Sequence, residues 1–525
     1  MSALPDPLEH ECPPTEGSAA DLLRQVVDYL STGIVPRGLW LVGGYVRDRL
    51  LGRTTNDLDI VVTEGAIDLA RALADDFGGV FFVLDRDRDV GRVILRKGGS
   101  KPVVVDVARL RAPSLSEDLR LRDFTVNAMA LDIGPGTGDV CLFDPFGGRT
   151  DLDIRLLRVV TEGAFRDDPI RMLRGVRLSA ELSFRIDAAT LSLMRAEAPL
   201  LVSTSAERVR DELWRIMGAS GAWRHVRLLA ATGLLQVVLP EFAALIGVGQ
   251  SPPHYQDVFD HTRSVVAHLE GIYAILWPRG AHRRPEAEDG DTTAIAEDGR
   301  WVELENALQP FLADLRSHLC LPLASDRLRR DALLWAALAH DWGKPAMRTI
   351  DPDGRTRFFA HDRWGALLVR TRAQALRFSA DEVTYLYRVA AHHMRPGLLA
   401  HDFPPSRRAI YRFFRDTQGT GPDCVLLSLA DHMATRALDP DPVPWERRFA
   451  TSQLLLNAYF RERQAQVEPV PLLDGRQIMA QFGLAPGPRV GQLLEDLREA
   501  QAAGEVRSAD DAIAWLMGRG IRDPL

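Results

Sequence analysis

The sequence is short of cysteine, of long apolar runs and of positive charge, and each shortage removes a class of protein. Its four cysteines (Cys12, Cys141, Cys320 and Cys424) lie far apart and form no CxxC pair. That argues against a zinc ribbon or a disulfide framework and fits a reducing compartment. No apolar run approaches the roughly 20 residues of a membrane span, and the opening "MSALPDPLEHECPP" lacks the basic and apolar segments of a secretory signal. The expected location is therefore the cytoplasm, with no membrane partner. The formal net charge is −8, so the field of the whole chain does not advertise a nucleic-acid binder. Any polyanion site has to be a local basic patch on an acidic body.

What is present is the balance of a globular protein, 46% hydrophobic and 26% charged. At a prior of roughly 150 residues per domain, the 525 residues suggest about three units. Residues 1–20 are rich in Pro, Glu and Ser and read as disordered. Residues 21–163 mix a helix at Asp21–Thr32 and a strand at Leu39–Val42 with the short apolar runs "DLDIVV", "GVFFVLD", "GRVILRK" and "PVVVDVARL". From Arg166 the pattern is helical almost throughout. The aperiodic, acidic stretch at 279–301 reads as a disordered loop inserted into a helical unit, and "ALDPDPVPWE" separates that unit from a helical end. The expected fold class is α+β: a head over 21–163 with a small mixed β-sheet, an all-α neck over 164–250, a helical unit over 251–440 and a helical C-terminal region over 441–525.

The chemistry begins in "LVGGYVRDRLLGRTTNDLDIVV", Leu41–Val62. Asp57 and Asp59 stand at i and i+2, so on a strand both carboxylates leave the same face. Two such acids repel unless a cation neutralises them, and hard divalent cations take oxygen ligands while keeping positions open for phosphates. Asp106, the one acid in an apolar strand, is the candidate third carboxylate of a two-metal site. Gly43 and Gly44 after a strand let the backbone approach a phosphate closely, and Arg47 is a fixed cation on the turn that follows. Without the glycines, the DxD pair would read as a solvated strand edge.

This stretch, with four later ones in order, resembles the class II tRNA nucleotidyltransferases and bacterial poly(A) polymerases, which share a polymerase-β-like head. The later motifs are "LRDFTVNAMAL" (Leu121–Leu131), "DPFGG" (Asp144–Gly148), "RDDPIRMLRGVRL" (Arg166–Leu178) and "SAERVRDEL" (Ser205–Leu213). The resemblance implies Mg²⁺ on Asp57 and Asp59, beside which Asp106 remains the residue-level candidate for the third catalytic acid. It places Gly44 and Arg47 at the triphosphate, next to Gly43 of the same turn, and Arg122 and Asp123 at the sugar and phosphates. It makes Asp168 and Arg171 a protein template for the base edge, with Arg174 and Arg177 in support. An Asp that accepts beside an Arg that donates can imitate a Watson–Crick edge. Asp168, Arg171 and Arg174 fall at i, i+3 and i+6 and are expected on one helix face. Asp167 stands where the family has Glu, and Leu121 where it has Arg. Over Arg166–Arg227 eleven arginines face eight acids, a mild local excess of positive charge suited to phosphate contacts with RNA.

A second cluster is ordered as His261, His340-Asp341, His361, His392-His393 and Asp431. Imidazole with carboxylate suits Ni, Mn, Co, Fe or Zn rather than Mg alone. The order resembles the HD phosphohydrolases, which implies a metal site built from His261, His340, Asp341, His361, His393 and Asp431, with the choice between His392 and His393 open. The expected function is template-independent addition of CMP and AMP from CTP and ATP to the tRNA 3′ end, with release of pyrophosphate and a second, metal-dependent phosphohydrolase activity. Full CCA addition ranks just ahead of CC-only or A-only addition, because Val104–Leu119 is short where many CCA-adding enzymes carry a longer loop. Poly(A) synthesis, an HD hydrolase with an inactive head and a non-catalytic RNA binder rank lower. The sequence leaves the oligomeric state open.

Overall fold

The computed structural model describes residues 19–31, 38–96, 102–133, 141–278, 299–324, 327–436 and 441–519. The expectation of disorder over 1–20 falls outside them except for Ala19 and Ala20, which open the helix Ala19–Ser31. The chain divides into two compact units, Met1–Val238 and Leu239–Leu525.

The first unit is organised by a seven-stranded sheet. Its strands are β1 (Leu39–Val42), β2 (Asp57–Val62), β3 (Val80–Asp85), β4 (Val90–Leu95), β5 (Val103–Arg109), β6 (Ala130–Asp132) and β7 (Cys141–Phe143). The order across the sheet is β3-β4-β5-β2-β1-β6-β7. Only β2 and β5 run parallel, and a parallel pair needs a long crossover. Here the helix Ala66–Phe77 and the hairpin β3–β4 supply it. That helix buries Leu69, Ala70 and Leu73, and a Cβ on Gly91 of β4 would lie 2.7 Å from Ala70, so one face of the sheet is closed by close packing. On the other face Val42, Val61 and Ala130 pack with Leu119 and Ala128. That cover lies over the β1–β6 side.

The helical remainder of this unit includes Ile170–Leu182 and Ala206–Gly218, each with a buried apolar stripe. It is helical almost throughout, as expected, with one short exception. Ser183 adopts a left-handed backbone (φ 54°) that ends its helix, and Arg185–Ile186 then pairs in parallel with Leu156–Leu157.

In the second unit the helices Val258–Leu276, Arg329–Ala339, His361–Ala375, Ala380–His392 and Gly421–Thr435 carry the histidines and acids of the second cluster or flank them. Of the expected loop at 279–301, residues 279–298 lie outside the described residues. Gly299–Trp301 instead open the helix Gly299–Leu308. Trp301 is 2% exposed, stacks on His268 and sits so close to Gly271 that a Cβ there would collide with it. One buried indole converts the end of an acidic run into helix. Near the C-terminus Ile478, Leu497 and Leu516 belong to a separate small core.

Candidate active site

Sheet register, more than chain proximity, assembles the first site. Asp59 on β2 lies directly beside Asp106 on β5, and Asp57 sits two residues earlier at the exposed start of β2. The three acids share one face, as the alternation of a strand requires. Desolvation pushes Asp57 and Asp59 above the ordinary carboxylate range. Arg215 opposes this at Asp57 and Arg122 opposes it at Asp59, while the Asp106 charge adds to it at both. Their charged forms are thus disfavoured in the absence of a cation, and a divalent ion bound between them would relieve this. Asp106 is already engaged: Arg92 of β4 donates to both its oxygens, at 2.7 and 2.8 Å. Arg92 was not singled out from the sequence, although β4 and β5 place it directly opposite Asp106.

The glycine pair does more than admit a phosphate. Gly43 has φ +70°, and a Cβ there would stand 2.7 Å from an Asp59 oxygen and 2.8 Å from Nη1 of Arg122. Any side chain would wedge these two groups apart. Gly44 opens the short helix Gly44–Leu50, in which Arg47 is buried rather than projecting. Its guanidinium donates to Asn127 at 2.8 Å and to Asp48 at 2.8 and 2.9 Å.

Arg122 is half-buried beside Asp59, its buried Nε makes no hydrogen bond, and desolvation pulls its pKa down. Burial alone would raise Asp123, but Arg174 and the Asn127 amide hold it low. Arg174 Nε lies 3.3 Å from Asp123 Oδ2, and the Asn127 amide donates at 3.0 Å. That Oδ2 and the Nε of Arg174 form an ion pair without hydrogen-bond geometry, whereas Nε of Arg122 is buried with no hydrogen bond. Buried polar atoms without partners are costly unless a ligand completes them.

The expected helix face of Asp168, Arg171 and Arg174 is not formed. Asp168 is extended (φ −153°, ψ 100°) in the break between Ala164–Asp167 and Ile170–Leu182, because Pro169 disfavours the helical region for the residue before it. Arg208, from the helix Ala206–Gly218, grips the Asp168 carboxylate at 2.7 and 3.1 Å. Arg171 donates to the Leu121 carbonyl at 2.6 Å and to the Ala164 carbonyl at 3.2 Å. Arg177 turns away from these groups and is buried, with Glu181 and Glu212 each at 2.6 Å, so it braces one helix on another.

In the second unit the histidine cluster closes. His261, His340 and Asp431 can bring ligand atoms within 4.8 Å of one another, and so can His340, Asp341 and His393. His361 Nε2 lies 3.4 Å from Asp341. The geometry chooses His393; His392 stands near Arg395 and Asp416 instead. Nδ1–H of His340, His361 and His393 donates to the carbonyls of Ala337, Phe358 and Ala390 at 2.7–2.8 Å. In the neutral rings this leaves the lone pair on Nε2. Nε2 of these three and of His261 is buried and converges on the acids without hydrogen-bond geometry, with His340 3.1 Å from Asp341 and His261 3.1 Å from Asp431; burial alone would lower His340, but the Asp341 charge raises it. Imidazoles and carboxylates gathered in this way fit a transition metal. Burial alone would raise Asp341 and Asp431, but His340 with Lys344 and His261 respectively hold them well below the ordinary range. Lys344 Nζ lies 2.7 Å from Asp341 and donates to Gln250 at 2.7 Å. His254, missed in the sequence, packs edge-on against His261 with ring centres 4.8 Å apart, and burial pushes it down to about 3.

Comparison with known proteins agrees with this layout. The Poly A polymerase head domain model matches residues 39–158, the probable RNA and SrmB- binding site of polymerase A matches 183–246, and the HD domain matches 306–436. His261 precedes the matched HD segment. An A-adding tRNA nucleotidyltransferase of Deinococcus radiodurans is 34% identical over 92% of this chain and 95% of its own length. A CC-adding tRNA nucleotidyltransferase of Thermus thermophilus is 33% identical over 93% of this chain and 95% of its own. Among solved structures, a CCA-adding enzyme in apo form I matches with a TM-score of 0.59 at 19% identity, covering 95% of this chain and 93% of that one, a likeness of fold.

Proposed function

We propose that this chain, which belongs to the tRNA nucleotidyltransferase family, transfers CMP or AMP from CTP or ATP onto the 3′ end of tRNA and releases pyrophosphate. The observation that carries the reading is the row of carboxylates at Asp57, Asp59 and Asp106 beside Gly43 and Arg122. Asp57 and Asp59 are the residues that would hold Mg²⁺, with Asp106 as the third acid; bound there, the cation neutralises the phosphates and acidifies the attacking 3′-hydroxyl. Gly43 and Gly44 keep the approach to Asp59 open for the triphosphate, and Arg47 positions that turn through Asn127. Arg122, whose Nε makes no hydrogen bond, and the Asp123–Arg174 ion pair face the sugar and phosphates. Asp168 and Arg171 read the base edge. Recognition by Asp168 requires exchange of its bond to Arg208 for bonds to the base, so Arg208 belongs with the selecting residues and Arg177 with the scaffold. On this reading the head spans 21–163, the neck 164–250, the HD unit 251–440 and the C-terminal region 441–525.

The extent of addition has a second reading, restriction to CC or to A. It is favoured by relatives that cover nine-tenths of the chain and bear the names A-adding and CC-adding. The five-residue link between β5 and the helix Leu115–Arg120 also supports it. The deciding experiment supplies tRNA ending at the discriminator base, at C or at CC with labelled CTP or ATP, and sizes the products. Three added nucleotides support full addition, arrest after CC or use of ATP alone supports a specialist, and long A tails or no incorporation overturn the proposal.

The buried cluster of the second unit supports a metal-dependent phosphohydrolase activity of the HD type, carried by His261, His340, Asp341, His361, His393 and Asp431. Phosphatase and cyclic phosphodiesterase assays with Ni²⁺ or Mn²⁺ on wild type and Asp341→Ala test it. Equal rates for the two proteins would remove it.

A further inference from the structure

One row of directly paired residues runs from the sheet edge to the carboxylates: Phe82 on β3, Arg92 on β4, Asp106 on β5 and Asp59 on β2. Direct partners point to the same face, so Phe82 and its β3 neighbour Val80 share the surface that carries the acids. At strand spacings of about 4.8 Å, Phe82 stands about 14 Å from Asp59 along this row. The helical cover over Val42 and Val61 lies on the other side of Asp59. Phe82 is 46% exposed and Val80 58%, and the Arg92 side chain is 40% exposed despite its pair with Asp106. An exposed aromatic ring beside an arginine on an open sheet face is the composition of a base-stacking platform.

Reaction geometry says what belongs there. In an in-line displacement the attacking hydroxyl and the departing pyrophosphate lie on opposite sides of the transferred phosphorus. Gly43 and Arg122 lie together on the β1 side of Asp59 and take the triphosphate, so the RNA terminus has to arrive from the β5 side. We propose that the β3–β4 face is the seat of the acceptor RNA end, with the 3′-terminal base stacked on Phe82 and Val80 and the terminal phosphate on Arg92. This rests on the nucleotidyltransferase reading above. Phe82 is a positioning residue, remote from the reacting atoms, and Arg92 serves Asp106 until the phosphate arrives.

The test uses the full-length chain as Phe82→Ala and Phe82→Tyr. Loss of one stacked base predicts a rise in KM for tRNA of about tenfold in Phe82→Ala. KM for the nucleotide, the melting temperature and the elution volume should be unchanged, and Phe82→Tyr should restore the tRNA KM. A readout independent of turnover is photo-crosslinking of tRNA carrying 5-iodouridine as its 3′-terminal base, which should map to the β3 strand in wild type and leave it in Phe82→Ala. An unchanged KM for tRNA, a crosslink elsewhere in wild type, or a shift of oligomeric state as the main effect of Phe82→Ala would overturn the proposal, the last by showing that a second copy covers this face. A wild-type chain that incorporates nothing while still crosslinking through β3 would instead overturn the nucleotidyltransferase reading and leave the RNA seat standing.

Discussion

The two acid clusters of this chain solve the same electrostatic problem in opposite ways. In the first unit Asp57 and Asp59 are raised by desolvation and by Asp106, and the cations Arg122 and Arg215 fall short of balancing them. In the second, Asp341 and Asp431 are held low by histidines and Lys344 packed around them. The first cluster is open at Asp57, and its acids are disfavoured in their charged form. The second is buried, with three of its imidazoles oriented by backbone carbonyls. The proposed functions match this difference: a nucleotide-adding site that receives its cation with the substrate would stay short of positive charge, whereas a site for a resident metal would hold its acids ionised.

Four substitutions sharpen or break that contrast. The largest effect is expected from Asp59→Ala, which removes a carboxylate the cation requires; single-turnover incorporation should fall roughly a thousandfold or more, with metal content of the second unit unchanged. Next, Asp341→Asn leaves Lys344 and the histidines without their shared anion. Loss of one partner from a buried charged set costs about 3–5 kcal/mol, so metal retained through dialysis should disappear and the melting temperature of the chelated protein should drop, while nucleotide addition on tRNA persists. Retained metal would show that the cluster is not the cage its geometry suggests. Third, Arg208→Ala frees Asp168 from a bidentate, charge-assisted pair worth about 1.5–3 kcal/mol. Discrimination among the four nucleoside triphosphates, measured as kcat/KM ratios, should shift about tenfold; constant ratios would make Arg208 structural only.

The smallest effect follows from the sign of the shifts. A carboxyl whose folded pKa is raised opposes folding at neutral pH, because the unfolded chain ionises it more readily, and this penalty fades as pH falls through the folded value. Asp57→Asn should therefore raise the melting temperature of the chelated protein at pH 7 slightly. Asp341 is depressed, so its contribution is present above the unfolded value and is lost only in strong acid. The two Asn variants should move stability in opposite directions, and movement in the same direction would break the comparison.

Much of this was legible in the residues. The strands at Leu39–Val42 and "DLDIVV", the shared face of Asp57 and Asp59, and the choice of Asp106 follow from alternation and from a lone acid in an apolar run. What escaped depended on pairing across distance. Arg92 meets Asp106 through strand register, Arg208 meets Asp168 from forty residues away, and His254 reaches His261 through the fold of a loop. None of these contacts leaves a local pattern. The misplacement of Asp168 on a helix face is different, because Pro169 stood beside it and its effect on the preceding residue was readable. The steric role of Gly43 needed the positions of Asp59 and Arg122 together.

The measurement that bears most directly on the head as the nucleotide-adding centre is single-turnover incorporation of labelled CTP and ATP into tRNA ending at the discriminator base, at C or at CC, by wild type and Asp57→Asn, with melting curves recorded on the same preparations. The account predicts incorporation by wild type and none by a variant that is at least as stable. Incorporation by Asp57→Asn at the wild-type rate would contradict it.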